Sequence, residues 1–238
     1  MNVTNCLYVV MPAYNEAENI EGVVKEWYSV LECGDENSRL VVADSGSTDE
    51  THELLVALQK KLPGLVILEN TGKLHGPKLL ALYKFAIDNG ATWIFQTDSD
   101  GQTSPQEFSE FWNNREGKDA VLGYRPSRGD GKFRAFVEKC VCFLLFLFFG
   151  IKVRDANAPY RLMSSSLVAK YIDRFDNNYN IPNIMLTTFF VKYDEKVCFL
   201  PISFKPRRAG KNSINLRKII KIGYRALFDF AEFRRGMK

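Results

Sequence analysis

The 238 residues, 46% of them hydrophobic and 25% charged, hold enough apolar mass to bury a substantial core in one globular domain, which excludes disorder as the default. Five cysteines, odd in number and without a Cys-x-x-Cys, argue against a disulfide framework and a zinc knuckle and fit reduced, cytosolic thiols. The net charge of +4 hides an asymmetry, because residues 205–238 carry eleven Lys/Arg against two Asp/Glu; that end seeks anions, and charge alone leaves open nucleic acid, an anionic membrane surface or a phosphorylated substrate.

The opening MNVTNCLYVVMPAYNE lacks the basic start, long apolar segment and cleavage site of a secretory signal. Leu7 to Met11 is the first expected strand. Asn15 follows as an expected N-cap, with Glu18 three residues on in the spacing of a capping box. Ile20, Val23, Val24, Trp27 and Leu31 then recur with the spacing of one buried helix face. Leu40 to Asp44 is the second strand, and Thr48 to Lys61 the next helix, with Leu54, Leu55 and Leu58 inward. The alternation repeats: a strand at Leu65 to Asn70, a helix across PKLLALYKFAIDNG, and the strand WIFQTD from Trp93. Ser104 and Pro105, with Glu107 at N3, start another helix.

Near-continuous apolar strands separated by helices imply a parallel sheet covered on both faces, in which ligands bind beyond the carboxyl ends of the strands. Three polar clusters fall at those ends, PAYNE, DSGSTD and TDSDGQ, and are expected along one edge. After a fifth strand, Ala120 to Tyr124, the regular alternation fades. A basic loop leads into an apolar helix, and a further helix is expected from about Ser165. The longest apolar run, Cys140 to Gly150, falls far short of the roughly 20 residues that a spanning helix needs. With no polar face over three turns, it is either deep core or dipped into a membrane. From Leu216 to Lys238 a helix is expected with Ile220, Tyr224, Leu227 and Ala231 on one face and Lys218, Lys221 and Arg225 near another. That pattern suits either an interfacial helix or a docked one. No zinc-finger or RNA-binding signature supports nucleic acid as partner.

Six segments carry a family resemblance: VVMPAYNEAENI, VVADSGSTDET, TDSDGQTSP, GYRPSR, VRDANAPYRLM and KPRRAGKNS, in this order from Leu7 to about Ser213. Together they resemble the family 2 glycosyltransferases, in the branch with dolichyl-phosphate mannose synthase and bacterial polyprenyl-phosphate glycosyltransferases. The resemblance implies an α/β fold of the GT-A nucleotide-sugar-binding type, with a mostly parallel central sheet, helices on both faces and C-terminal amphipathic helices. It implies a catalytic domain over residues 1–213 and a basic amphipathic helix over 214–238, either part of that domain or a peripheral membrane contact.

It further implies an inverting transfer of a sugar from a nucleoside diphosphate to a polyprenyl phosphate on the cytoplasmic membrane face. Asp98, Asp100 and Gln102 would hold Mg²⁺ or Mn²⁺, oxygen ligands being what hard cations want. Pro12, Tyr14, Glu16, Asp44, Asp98 and Arg207 would bind the donor, with Gly210 letting the Arg207 loop turn. Asp155 and Asp100 are the implied catalytic carboxylates. A lipid phosphate is ionised at neutral pH and needs cationic positioning rather than a base. Of Arg125, Arg128, Lys132 and Arg134, the expected phosphate ligands are Arg125 and Arg134. The sequence departs from the family at Ser45 and at Ala158 to Arg161. Three alternatives stay open: a glycolipid or sugar-hydroxyl acceptor with Asp155 as base, Asp155 as a mere brace for Arg161, and a non-catalytic scaffold subunit.

Overall fold

Strand β1 (Leu7–Ala13) is buried along its whole length, as a central parallel strand covered on both faces must be. It pairs in parallel with β2 (Arg39–Asp44) and β4 (Trp93–Thr97), and β3 (Leu65–Leu68) adds in parallel to β2. The computed structural model describes residues 5–127, 131–207 and 216–236. Two further strands, β6 (Tyr160–Ser164) and β7 (Val197–Pro201), complete a seven-stranded sheet in the order β3-β2-β1-β4-β6-β5-β7, with β5 at Ala120–Tyr124. β6 runs antiparallel between β4 and β5. The sheet is therefore mostly parallel, as expected, and its five predicted strands are all present.

Helices cover both faces. One face packs α1 (Ile20–Tyr28), α2 (Thr51–Gln59) and α4 (Phe108–Asn113), with Trp27 stacked on Phe95 at 5.2 Å. The other packs α3 (His75–Asp88), α5 (Lys132–Phe149), α6 (Ser165–Ile172), α7 (Pro182–Lys192) and α8 (Leu216–Gly236).

Three local expectations need correction. Asn15 does not cap a helix: α1 starts only at Ile20, and Asn15 adopts φ +55° with its Oδ1 accepting from the Thr48 backbone N–H at 2.8 Å. Its short amide clasps the loops after β1 and β2, a use open to a side chain that tolerates the left-handed region. The second helix begins at Thr51 rather than Thr48, and Leu54 is only partly buried while Leu55 and Leu58 are buried. On α8 the docked stripe is Ala226, Phe230 and Phe233, not the one through Tyr224, Leu227 and Ala231; Tyr224 is 65% exposed. Phe230 sits 5.7 Å from Phe149, and Phe233 5.6 Å from Phe189. Burying Phe230 contributes roughly 2 kcal/mol, which favours this stripe over the less apolar one. The Ile220, Lys218 and Lys221 side chains lie outside the described residues.

Helix α5 is core along one side and exposed along the other. Leu145 and Phe149 enter the core, whereas Phe136, Phe143 and Leu147 are exposed on the outer side. It ends at Gly150, whose φ of +72° is the left-handed cap that glycine adopts without strain. Among the described residues no helix is long and apolar enough to cross a membrane.

Candidate active site

The carboxyl ends of β1, β2 and β4 bring the three polar clusters to one edge of the sheet. Ser99 fastens two of them, its Oγ donating to the Pro12 carbonyl at 2.8 Å. At the carboxyl end of β2, Asp44 is buried, with Oδ1 accepting from Ser47 Oγ at 2.5 Å and Oδ2 facing His52 Nδ1 at 3.2 Å. His52 in turn has Nε2 3.5 Å from Glu69. Ser45 accepts from the Thr71 backbone N–H at 2.9 Å and so ties β2 to the loop after β3. Beneath Tyr14 lies Lys78, which is buried, donates to the Ala13 carbonyl and sits 5.3 Å from the Tyr14 ring. Burial pushes its ammonium down to about 8, against the pull of Asp44.

Three acids converge at the middle of the edge: Glu16, Asp98 and Asp100. Burial, and then the charge of Asp98, push the Asp100 carboxyl up to about 7. Burial also raises Glu16, opposed by hydrogen bonds from Asn19 and Arg207. Arg207 donates to Glu16 and has Nη1 4.0 Å from Asp100 Oδ2. Asp98 Oδ1 lies 3.4 Å from His75 Nε2 and 3.3 Å from Gln96 Nε2. Gly101, at φ +72°, makes the tight turn that brings both aspartates to this place.

Glu16 and Asp100, buried beside a third acid and holding their protons more tightly than usual, give the electrostatic signature of a site that wants a cation, and the oxygen-only aspartates fit Mg²⁺ or Mn²⁺. Among the described residues no set of three His, Cys, Asp or Glu is arranged to hold a metal alone. Gln102, the third expected metal ligand, is held through its amide nitrogen. Its Nε2 donates to the Lys205 carbonyl at 2.8 Å, and the Lys205 N–H donates to the Gln102 carbonyl at 2.9 Å. The side chain straps down the segment that carries Arg207.

In the loop before β6, Asp155 is buried and both its oxygens are taken by Arg125, from Nε at 2.7 Å and Nη2 at 2.9 Å, with Asn157 N–H also donating at 3.0 Å. Burial raises the Asp155 carboxyl, but the Arg125 hydrogen bonds and charge outweigh it and hold the carboxyl below its ordinary value. Asp155 therefore braces Arg125 and not Arg161. Arg161 is buried and donates to Thr187 Oγ1 at 3.0 Å instead. Arg125 also lies over the Phe204 ring at 4.9 Å. Arg134 sits in the first turn of α5, one turn before Glu138. Arg128 and Gly210 lie outside the described residues, as does the Lys132 side chain.

Three residues that sequence reasoning passed over belong to this edge: His52, Lys78 and Glu138. The last two carried a signal, each being a charge on the buried side of an apolar helix.

The glycosyl transferase family 2 model matches residues 8–231. The undecaprenyl-phosphate 4-deoxy-4-formamido-L-arabinose transferase of Photorhabdus laumondii is 24% identical over 217 residues, 91% of this chain and 65% of that protein. The transferase of the same name from Salmonella choleraesuis is 22% identical, with 91% and 64% covered. The chain thus spans about 65% of the length of the curated relatives it matches. Among solved structures, glucosyl-3-phosphoglycerate synthase of Mycobacterium tuberculosis, in complex with Mn²⁺ and UDP-glucose, shares the fold with TM-score 0.68 at 20% identity, over 98% of this chain and 79% of that one. Its complex with Mn²⁺, UDP-glucose and glycerol 3-phosphate gives 0.65 at 20% identity, over 98% and 80%. The sheet order, the aspartate edge and the extent of the family match lead to one statement: the chain belongs to glycosyl transferase family 2 and has the GT-A fold.

Proposed function

We propose that this protein is an inverting glycosyltransferase that moves a sugar from a nucleoside diphosphate to a polyprenyl phosphate. The observation that carries the acceptor assignment is the Arg125–Asp155 pair. A sugar hydroxyl needs a base near the anomeric carbon, and a carboxylate fixed by a bidentate arginine and held below its ordinary pKa is a poor one. A phosphate acceptor is already ionised. It needs an oriented cation, and Asp155 orients Arg125, with Arg134 on the adjoining helix as the second expected phosphate ligand.

The donor's nucleoside would lie against Pro12, Tyr14 and Asp44, with its diphosphate beside Arg207. Asp98 and Asp100 would hold Mg²⁺ or Mn²⁺, which supplies charge neutralisation for the leaving diphosphate. Glu16 holds Arg207 at this cluster, and Gln102 fixes the backbone behind it. An acceptor phosphate oxygen entering from the Arg125 side attacks the anomeric carbon opposite the leaving group, so configuration inverts.

The exposed face of α5, with Phe136, Phe143, Phe146 and Leu147, and the basic residues 205–238 support peripheral contact with the cytoplasmic face of a membrane, where such an acceptor resides. The names of the Photorhabdus and Salmonella relatives point to the same acceptor class. The test is donor turnover: nucleoside diphosphate released from a panel of sugar nucleotides, with Mn²⁺ or Mg²⁺, with and without polyprenyl phosphate, and Asp100→Ala as control. Release that requires both metal and lipid phosphate supports the proposal. Release stimulated only by sugar acceptors overturns it, and tight donor binding without turnover identifies a scaffold subunit.

A further inference from the structure

Glu138 is the single acid in the 18-residue α5, and it turns inward, with 12% of its side chain exposed. Its Oε1 accepts from the Ala156 N–H at 2.8 Å and lies 3.7 Å from Cys142 Sγ. Its Oε2 lies 3.7 Å from Arg125 Nη2, and its carboxyl is within hydrogen-bonding reach of Asp155. Two buried carboxyl groups therefore share one guanidinium. The charge balance calls for one proton between them, since two buried anions on one cation leave a net charge without solvent to screen it.

The proton belongs to Glu138. Burial and then the Asp155 charge push Glu138 up to about 7, while Arg125 holds Asp155 low. Among the described residues, the charged and titratable groups that face it are Arg125 at the end of β5, Asp155 before β6 and Cys142 on its own helix, with Arg134 one turn before it in sequence. Arg161 on β6 faces Asp155. From α7 comes neutral Thr187, which donates to the Ala156 carbonyl at 3.0 Å.

The geometry points to Glu138 as a positioning residue of the acceptor site: as the protonated member of a Glu138–Asp155–Arg125 cluster it holds the guanidinium and the 155–157 loop ready for an anionic acceptor. This rests on the phosphate acceptor proposed above. With its proton, the cluster is neutral and admits a phosphate monoester. Without it, the cluster is an anion that repels the same ligand. Wild-type affinity for the acceptor therefore falls as pH rises through about 7, even though the acceptor's own second ionisation, near pH 6, is then complete.

The experiment is calorimetric titration of the full chain with a short-chain prenyl monophosphate from pH 6.5 to 8.5, for wild type and Glu138→Gln. Glutamine keeps an oxygen for the Ala156 N–H and is always neutral. Wild-type affinity should drop roughly tenfold across this range, and that of the variant less than twofold, with nucleoside diphosphate affinity the same in both. A ¹³C titration of the Glu138 carboxyl, assigned by difference from the variant, reads the proton directly. A carboxyl that titrates in the ordinary glutamate range overturns the inference whatever the acceptor. Identical pH profiles in the two proteins overturn it alone. A wild type that binds no prenyl phosphate at any pH overturns the acceptor proposal, and with it the inference.

Discussion

Arg207 donates to Glu16 across 191 residues of chain. The pair joins the segment after β7 to the loop after β1, and it lies beside Asp100. It is thus a latch of charge beside the acidic cluster, where the proposed reaction would place the departing diphosphate. Arg207→Gln is expected to lower kcat by roughly 30- to 100-fold, the worth of one charge-assisted interaction at developing charge. Acceptor KM should change little. Steady-state kinetics with the accepted donor checks this, and an unchanged kcat refutes the role.

Asp100 predicts a pH-dependent metal affinity. Its carboxyl moves from 3.8 up to about 7 on folding, so the folded chain holds a proton across that window which the unfolded chain has lost. Cation-free stability therefore falls as pH rises from about 4 to about 7. Metal must displace the proton, so Mn²⁺ affinity should rise with pH up to about 7 and then level off. The rise in Tm on adding Mn²⁺ should be greater at pH 7.5 than at pH 5.5, and absent in Asp100→Ala. Thermal melts at the two pH values measure it.

Asp155→Asn removes the bidentate partner of Arg125 and, with the Asp155 charge gone, lets Glu138, 3.7 Å away, ionise in its place. The stability cost should therefore stay below the roughly 3–5 kcal/mol of a fully broken buried pair, read as the shift in denaturant midpoint. Transfer to a lipid phosphate should fall about tenfold through misplacement of Arg125 and yet persist. Complete loss of transfer in a variant that is still folded would make Asp155 a base, and the acceptor a hydroxyl.

The outer face of α5 predicts a separable membrane contact. Phe136 and Phe143 are exposed by 62% and 60%, so replacing both by serine should leave stability within about 0.5 kcal/mol per site. Co-sedimentation with anionic vesicles should weaken at least severalfold, because the apolar area that enters the interface is lost. Equal sedimentation of variant and wild type would remove α5 from the membrane contact.

Much of this edge could be read from residues in order. The apolar runs of β1 to β5 are strong periodic signals, and each ends in the polar residues that the parallel topology gathers at one side. What escaped was set by contacts distant in sequence. β6 is five residues long with a charged residue, Arg161, in its interior, and its antiparallel place depends on both neighbours. Asn15 fits the rule for a helix cap, yet the loop after β2 competes for its amide and wins. The arginine six residues after Asp155 in sequence, Arg161, is not its partner; that partner lies 30 residues back, at Arg125. On α8 several stripes are apolar, and only the aromatic rings of α5, α7 and the segment between α6 and α7 decide which one docks.

The most direct measurement is recovery of labelled sugar in lipid. The purified chain, Mn²⁺, a labelled sugar nucleotide and polyprenyl phosphate are incubated, and the organic phase is extracted and treated with mild acid. The expected result is label in the organic phase that depends on lipid phosphate and metal, is released by mild acid as a glycosyl phosphate would be, and is lost with Asp100→Ala. Label that stays with water-soluble sugar acceptors, or a lipid product made equally well by Asp100→Ala, would contradict the proposed reaction.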